Sequence, residues 1–226
     1  MEIKTDFVRL EKGNSRINVK IKSEEETEIN AQGPDIDENA VEELFHKLES
    51  LKDGDSLILA GSIPSSLPAD IYEHIIEKIQ GKNVRVAVDA EKNLLMNVLK
   101  YRPFLVKPNK HELSEMFEVE IETDEDVEKY ARKLQKMGAV NVLISMAGEG
   151  AMLIDEYGKK HRCGVCRGIV RNSVGAGDSM VAGFMAGTIN GDYEYALKLG
   201  TAAGGATAFS DGLATHDKIM ELVKQI

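Results

Sequence analysis

The sequence predicts an α/β protein with a mainly parallel sheet flanked by helices and a partial β-lid. Beyond Pro34, short apolar runs of strand length alternate with helical stretches, which is typical of parallel strands joined by crossover helices. The residues before Pro34 follow a different period, in which polar and apolar side chains alternate. We therefore expect two regions, a lid hairpin over 14–34 and an α/β domain formed by 35–226 together with 1–13.

The lid is predicted from its alternation. Residues 16–21 alternate polar and apolar side chains, a charged turn follows at 23–26, and 27–30 indicates a short returning strand. A two-stranded hairpin is marginally stable alone, so it must lie on another part of the protein.

The elements of the larger domain follow in order. Apolar periodicity predicts helices over 38–51, 69–79 and 94–99, and strands over 56–60, 84–88, 104–106, 140–144 and 151–154. A further helix is bounded by Thr123 as its N-cap, with Asp126 three residues on, and by Gly138 at its end. From Val174 onward the chain is predicted to be almost entirely helical.

Composition excludes several classes of function. The 28 basic and 38 acidic residues give a net charge of −10, which disfavours nucleic acid as a partner. No apolar run approaches the ~18–20 residues that cross a bilayer, and the N-terminus lacks a signal pattern, so we expect a cytoplasmic protein and no membrane partner. Cys163 and Cys166 form a C-x-x-C pair in a stretch that indicates a strand, and without a second ligand pair we expect ordinary reduced thiols.

The strongest functional pattern is Asn172–Ser179, which reads Asn-Ser-Val-Gly-Ala-Gly-Asp-Ser and precedes a predicted helix. Small residues at a helix start leave backbone amides free to bind an anion. Asp178 would lie in the first turn of that helix. It is either a carboxylate that merely stabilises the helix start or a general base beside the anion site.

This octamer resembles the C-terminal signature of the ribokinase-like sugar kinases, the phosphofructokinase B family. The resemblance implies that Gly175, Ala176 and Gly177 bind the transferring phosphoryl group and that Asp178 is the catalytic base. It also implies ATP and Mg²⁺ as cofactors and a phosphosugar as substrate.

A second pattern, Lys107–Glu112, follows a predicted strand. Asn109 and Glu112 are spaced as in a capping box, which alone would explain the pair. The same Asn-x-x-Glu resembles the family element that organises Mg²⁺ and its waters, and magnesium takes few direct protein ligands. We therefore expect Asn109 and Glu112 at the metal and Lys107 at the nucleotide.

Two glycine-containing segments complete the expected nucleotide site. The loop 145–150 is by itself a tight turn, but it resembles the Ser-x-Gly-x-x-Gly loop beneath ATP, with Ala147 in place of the usual glycine. The small residues of 203–208 indicate close helix packing and resemble the border of the adenine pocket. The resemblance assigns nucleotide contacts to Ser145, Gly148, Gly150, Gly177 and Gly204.

The expected substrate contacts come from two segments. Gly61 and Ser62 follow a predicted strand and resemble the family's sugar-binding Gly-Ser-x-Pro. Arg16 and Asn18 resemble the Arg-x-Asn pair that holds the substrate phosphate, and a guanidinium suits bidentate phosphate binding. The resemblance then implies phosphorylation of fructose 1-phosphate at its C6 hydroxyl, giving fructose 1,6-bisphosphate and ADP. The lid would also offer a surface for a homodimer.

Other functions stay open at this stage. The acceptor could be tagatose 6-phosphate, a nucleoside or an unphosphorylated sugar. The family's Gly-Gly-Lys-Gly-x-Asn sugar-binding segment has no counterpart in the chain, so we expect its N-terminal region to be missing, and a non-catalytic nucleotide-binding fragment is a further alternative. A dinucleotide-dependent dehydrogenase is disfavoured because the glycine string lies near the C-terminus instead of after a first strand.

Overall fold

The computed structural model describes residues 3–22 and 26–226, which form two compact units. The first unit takes in the described part of Met1–Asp55 together with Ser62–Val84, and the second consists of Ser56–Gly61 and Arg85–Ile226. Most of the charged turn predicted at 23–26 lies outside the described residues.

The first unit contains a hairpin and two helices. Strands β1 (Asn18–Lys22) and β2 (Glu26–Asn30) pair antiparallel, with Val19 opposite Ile29. Helices α1 (Glu38–Leu48) and α2 (Ile71–Lys78) follow the two stripes of apolar residues that predicted them. The predicted hairpin is confirmed within the described residues.

The second unit is built on a six-stranded sheet whose spatial order equals its chain order. Its strands are β3 (Ser56–Ala60), β4 (Arg85–Asp89), β5 (Leu105–Val106), β6 (Asn141–Ser145), β7 (Ala151–Ile154) and β8 (Lys160–Cys163). The first four run parallel, whereas β7 and β8 are each antiparallel to the strand before. The predicted mainly parallel sheet is confirmed, and β8 falls in the stretch around Cys163 that the sequence indicates as a strand without defining its bounds.

The helices of the second unit are α3 (Lys92–Val98), α4 (Lys110–Phe117), α5 (Asp124–Met137), α6 (Ala176–Gly187), α7 (Tyr193–Ala208) and α8 (His216–Val223). The predicted ends of α5 are confirmed. Thr123 and Asp126 form a reciprocal capping box, and Gly138 ends the helix at φ +136°. A Cβ on Gly138 would lie 2.0 Å from the carbonyl oxygen of Leu99, so only glycine fits there.

The core of the second unit lies between the sheet and the α6–α7 pair. Phe184 and Leu197 pack with Leu105, Leu143 and Leu153, and all five are essentially inaccessible to solvent. Burial of these side chains supplies the main stabilisation of the unit.

Helices α6 and α7 approach through small residues. A Cβ added to Gly183 would lie 2.8 Å from the carbonyl oxygen of Leu199, and one added to Gly200 would lie 2.9 Å from that of Met180. The two helix backbones are therefore in direct contact. A larger side chain at either glycine would push the helices apart.

The direction of the strands separates two edges of the sheet. The carboxyl ends of β3 to β6 share one edge, while β7 runs the other way and ends at the opposite edge. At that opposite edge Asp155 accepts hydrogen bonds from His161 (Nε2–Oδ2 2.7 Å) and from the amides of Tyr157 (3.0 Å) and Lys159 (2.9 Å). Only 3% of the Asp155 side chain and 6% of the His161 side chain are exposed. Ligands of open α/β sheets bind at the carboxyl edge, so a ligand site is expected there.

Within residues 3–22 and 26–226, no helix combines the length and the apolar character needed to cross a bilayer.

Candidate active site

An ion pair lies at the carboxyl ends of β4 and β5. Lys107 Nζ is 3.1 Å from Asp89 Oδ1, with 7% and 19% of the side chains exposed. Burial raises the pKa of Asp89. The positive charge of Lys107 opposes this increase, whereas the negative charges of Glu112 and Asp178 raise the pKa further. Three carboxylates and one ammonium group therefore interact at this edge.

Sequence reasoning did not single out Asp89. The available signal was an acidic residue that directly follows the buried strand residues 86–88, at the edge where α/β proteins bind ligands. Acidic residues also end strands where no ligand binds, so this position alone is a weak signal. The contact with Lys107 is what distinguishes Asp89.

The start of α6 has unengaged backbone amides. Gly175 occupies the N-cap at φ +78°, a left-handed conformation that glycine adopts without strain. The amide of Ala176 donates to the carbonyl of Ser173 at 3.2 Å, which closes the turn. The amides of Gly177 and Asp178 meet no acceptor in the described part of the chain, so they are the donors that an anion would find.

Gly177 brings this helix start to the ion pair. A Cβ at Gly177 would lie 3.5 Å from Lys107 Nζ and 3.9 Å from Asp89 Oδ2. The side chain of Asp178 is exposed in the first turn, and within the described ranges it forms no ion pair or side-chain hydrogen bond. A carboxylate held in a structural ion pair would not be available as a base. Among the residues described, Asp178 has no such contact, so its side chain is available.

Asn109 and Glu112 do form the capping box that their spacing indicated. The amide of Glu112 donates to Asn109 Oδ1 at 2.8 Å, and the amide of Asn109 donates to Glu112 Oε2 at 2.7 Å. The amide of Ser145 donates to the carbonyl of Pro108 at 3.2 Å, which fixes the start of α4 beside the end of β6. The cap leaves Glu112 close enough to raise the pKa of Asp89.

This arrangement fits a magnesium ion that keeps most of its water. In the part of the chain that the structure describes, no three His, Cys, Asp or Glu side chains converge as direct ligands of one metal ion. Carboxylates spaced around an anion site can still hold Mg²⁺ through water, and Mg²⁺ gives up its waters reluctantly. Asn109 and Glu112 would hold the ion, with Asp89 as an additional acidic group.

The predicted nucleotide loop is a strained turn between β6 and β7. Ser145 ends β6, Gly148 is exposed in the short helical turn Ala147–Glu149, and Gly150 has φ +90° with Cys163 O only 2.2 Å from the position of a Cβ. Ala147 has φ +46°, which explains why glycine is usual at its position in the family that the sequence resembles.

Gly204 lies within α7, where close packing explains a small residue. Its Cβ would be 3.0 Å from the carbonyl oxygen of Ala176, so α7 lies directly against the first turn of α6. The nucleotide contact assigned to Gly204 stays a prediction.

The predicted substrate residues fall into two groups. In the first unit, Arg16 donates from Nε to Asn18 Oδ1 at 2.8 Å and from Nη1 to Ser62 Oγ, so three of the four predicted residues meet. In the second unit, Gly61 has φ +90° and its amide donates to the carbonyl of Asp89 at 3.3 Å. Gly61, which follows β3, is thereby hydrogen-bonded to Asp89, the ion-pair residue that sequence reasoning missed.

Cys163 and Cys166 are buried free thiols. Burial is the main cause that raises the pKa of both, and the pKa of Cys166 reaches about 11. Thiolate is the reactive form, so both thiols are poor nucleophiles at neutral pH.

Comparison with known proteins defines the class. The model of the pfkB family of carbohydrate kinases matches residues 1–219. The chain therefore belongs to the pfkB family of carbohydrate kinases, with a ribokinase-like fold, and it is an ATP-dependent sugar kinase.

Individual relatives narrow the class further. The chain is 45% identical over 216 residues to a 1-phosphofructokinase of Bacillus subtilis, covering 95% of this chain and 71% of the relative. It is 34% identical over 227 residues to a D-tagatose-1-phosphate kinase of Bacillus licheniformis, covering 100% of this chain and 74% of the relative. A crystal structure of phosphofructokinase-2 from Escherichia coli, in complex with substrates and products, superposes with a TM-score of 0.85 at 26% identity, covering 92% of this chain and 70% of that one. These relatives support a kinase that acts on sugar phosphates.

Proposed function

We propose that the protein transfers the γ-phosphoryl group of MgATP to the C6 hydroxyl of fructose 1-phosphate, giving fructose 1,6-bisphosphate and ADP. The observation that carries this proposal is one helix start that combines free amides, an unengaged carboxylate and a nearby ammonium group. Gly177 and Asp178 supply the amides, Asp178 the carboxylate and Lys107 the ammonium. This is the set of groups that phosphoryl transfer requires.

Each residue has a defined task. Asp178 takes the proton of the C6 hydroxyl while that oxygen bonds to the γ-phosphorus and the bond from phosphorus to the ADP oxygen breaks. The amides of Gly177 and Asp178 donate to the oxygens of the migrating phosphoryl group, and Lys107 lowers the negative charge beside them. Magnesium, when bound, neutralises charge on the nucleotide phosphates.

The phosphate on C1 of the substrate is assigned to Arg16. Asn18 and Ser62 contact its guanidinium and orient it, and Arg is suited to binding two phosphate oxygens at once. A neutral sugar or a nucleoside would offer this cation no anionic partner.

Tagatose 1-phosphate is the second candidate acceptor. The similarity to a D-tagatose-1-phosphate kinase favours it over the tagatose 6-phosphate considered from the sequence. Both sugars carry a phosphate on C1 and differ at C4, so the phosphate contact alone does not choose between them.

The test is steady-state kinetics on both sugar phosphates and fructose, with Asp178→Asn as the variant. We expect the highest kcat/KM with fructose 1-phosphate. Asp178→Asn should keep MgATP affinity and lose turnover by about 10²–10⁴-fold, the usual contribution of a general base.

Asp217→Asn is the matched control, because Asp217 is also an exposed acid in a first helical turn, that of α8. If both variants keep full turnover, Asp178 only stabilises its helix. If the unmodified chain binds MgATP but phosphorylates none of the acceptors, the non-catalytic alternative gains support and the proposed reaction fails.

A homodimer through the lid stays part of the proposal. Val19, Ile21 and Ile29 of the hairpin are each 45–57% exposed, an apolar surface that a second hairpin would cover. A cytoplasmic location likewise stays a prediction.

A further inference from the structure

The proposed nucleotide loop is held by an arginine outside the predicted site. Arg162, in β8, donates from Nη1 to the carbonyl oxygens of Glu149 and Cys163, each at 2.8 Å. Its Nε donates to Asp124 Oδ2 at 2.8 Å, and this bond holds the pKa of Asp124 below its usual value. One side chain thus joins the loop, the edge strand and the start of α5.

The loop needs such support because its backbone is unfavourable on its own. Ala147 lies at φ +46° and Gly150 at φ +90°, and a left-handed alanine costs about 1–2 kcal/mol. Conformations of this kind persist only where the surroundings impose them. Arg162 binds the carbonyl of Glu149, which lies between the strained Ala147 and Gly150, whose conformation glycine adopts readily. Lys110 adds a weaker contact to the Glu149 carboxylate, with Nζ–Oε1 at 3.3 Å.

The ion pair itself does not explain the arrangement. The Arg162 side chain is 32% exposed and that of Asp124 is 42% exposed, and salt bridges this accessible add little stability. Asp124 therefore acts mainly to aim the guanidinium, whose main-chain contacts have the structural effect.

We propose that Arg162 is a positioning residue that fixes the loop Ser145–Gly150 for nucleotide binding. This inference rests on the proposed function. Arg162 does not touch the nucleotide; it keeps the backbone of Gly148–Gly150 in the conformation that binds it. Its removal lowers affinity for the nucleotide and leaves affinity for the sugar phosphate unchanged.

The chain provides a matched control at the other end of the same hairpin. Arg132 donates from Nε to Glu128 Oε1 and from Nη1 to the carbonyl oxygen of Gly158, both at 2.9 Å. It therefore also pairs with a carboxylate of α5 and binds a turn carbonyl, but the turn is the one between β7 and β8. A general loss of stability would lower MgATP affinity in the Arg162 and Arg132 variants alike.

The experiment compares Arg162→Gln, Arg162→Lys and Arg132→Gln in the chain of 226 residues. MgATP affinity is measured by calorimetry, KM for each substrate by kinetics and folding by thermal melting. We expect Arg162→Gln to weaken MgATP binding about tenfold, as for a lost charge-assisted contact, with KM for the sugar phosphate unchanged. Arg162→Lys should recover part of the affinity, and Arg132→Gln should stay within about twofold of the unmodified chain.

The outcomes separate the two proposals. If the unmodified chain binds MgATP and both glutamine variants bind it equally well, or equally poorly, Arg162 has no specific positioning role. A parallel rise of both KM values in Arg162→Gln also overturns the inference. If the unmodified chain binds no MgATP, the proposed function itself fails, and the inference fails with it. Should Arg162→Gln not fold, Arg162→Lys decides, because unchanged nucleotide affinity together with a lowered melting temperature would show a purely structural role.

Discussion

Two aspartates at opposite edges of the same sheet differ in what surrounds them. Asp155, which follows β7, is almost fully buried and accepts hydrogen bonds from His161 and two amides. Asp89, which ends β4, is more exposed and pairs with Lys107, and burial raises its pKa. One carboxylate is satisfied by the protein and the other keeps capacity for a ligand.

The same contrast holds for the turns at the two edges. The turn between β7 and β8 places Gly158 at φ +76°, where glycine is unstrained, whereas the turn between β6 and β7 places Ala147 at φ +46°. Satisfied groups and relaxed turns mark the structural edge, and incomplete satisfaction and strain mark the edge where ligands are expected. A polar residue at a strand end therefore indicates a ligand site only when the protein leaves part of its hydrogen-bonding capacity unused.

The largest expected effect tests the structural edge. Asp155→Ala removes the acceptor of the buried His161 ring and of two part-buried amides, and the loss of these three hydrogen bonds should lower the free energy of unfolding by about 3 kcal/mol. MgATP affinity of the folded protein should not change. Urea unfolding and calorimetry check the two statements. A loss of stability below about 1 kcal/mol would show that water replaces the carboxylate and would break the contrast.

Asp89→Asn should have the opposite profile. Turnover should fall about tenfold because a charge near the reacting groups is lost, whereas the free energy of unfolding at pH 7 should change by less than about 1 kcal/mol. The physical reason is the raised pKa of Asp89, which shows that the folded protein disfavours its ionised form. A large loss of stability with full turnover would make Asp89 a second structural aspartate.

The pH dependence of the same variant has a defined sign. The contribution of Asp89 to stability is fully present below its ordinary pKa of 3.8 and is lost as the pH rises through the raised value in the folded state. The difference in unfolding free energy between the unmodified chain and Asp89→Asn should decline over that window and stay constant above it. Unfolding curves at a series of pH values measure this.

The smallest expected effects come from exchanging the two turn residues. Ala147→Gly should raise the free energy of unfolding by about 0.5 kcal/mol, because relief of the left-handed alanine exceeds the added entropy of the unfolded chain. Gly158→Ala should lower it by about 1 kcal/mol. Among the described residues the added Cβ meets only Arg132 Nη1, at 3.8 Å, so the cost is the strain of a left-handed alanine. Small changes of equal size in both variants would show that backbone strain does not distinguish the two turns.

The sequence was sufficient where the signal is local. Thr123 and Gly138 delimit α5 because caps depend on a few neighbouring residues, and both were identified. The bounds of β8 were not predicted, because it is a short edge strand in which Lys160 and Arg162 are exposed and only His161 and Cys163 are buried. Four residues of such alternation are common in loops as well.

The candidate site was predictable only in part for the same reason. Asn172–Ser179 and Asn109–Glu112 are contiguous patterns, so the sequence displays them. Arg16 and Ser62 are 46 positions apart, and resemblance to a family, not periodicity, brought them together. Asp89 is recognised as a site residue only because it lies near Lys107 and Gly177, which belong to other segments. No local sequence pattern encodes that proximity.

The direct backbone contact between α6 and α7 has a consequence for the energetics of the reaction. Because Gly183 and Gly200 leave no space between the helices, the first turn of α6 cannot tilt without moving α7 as well. The amide dipoles at that turn are consequently oriented in advance, so the proposed reaction would need little reorganisation energy when charge moves onto the phosphoryl oxygens. In that reaction, glycines remote from the reacting atoms would help to keep the activation barrier low.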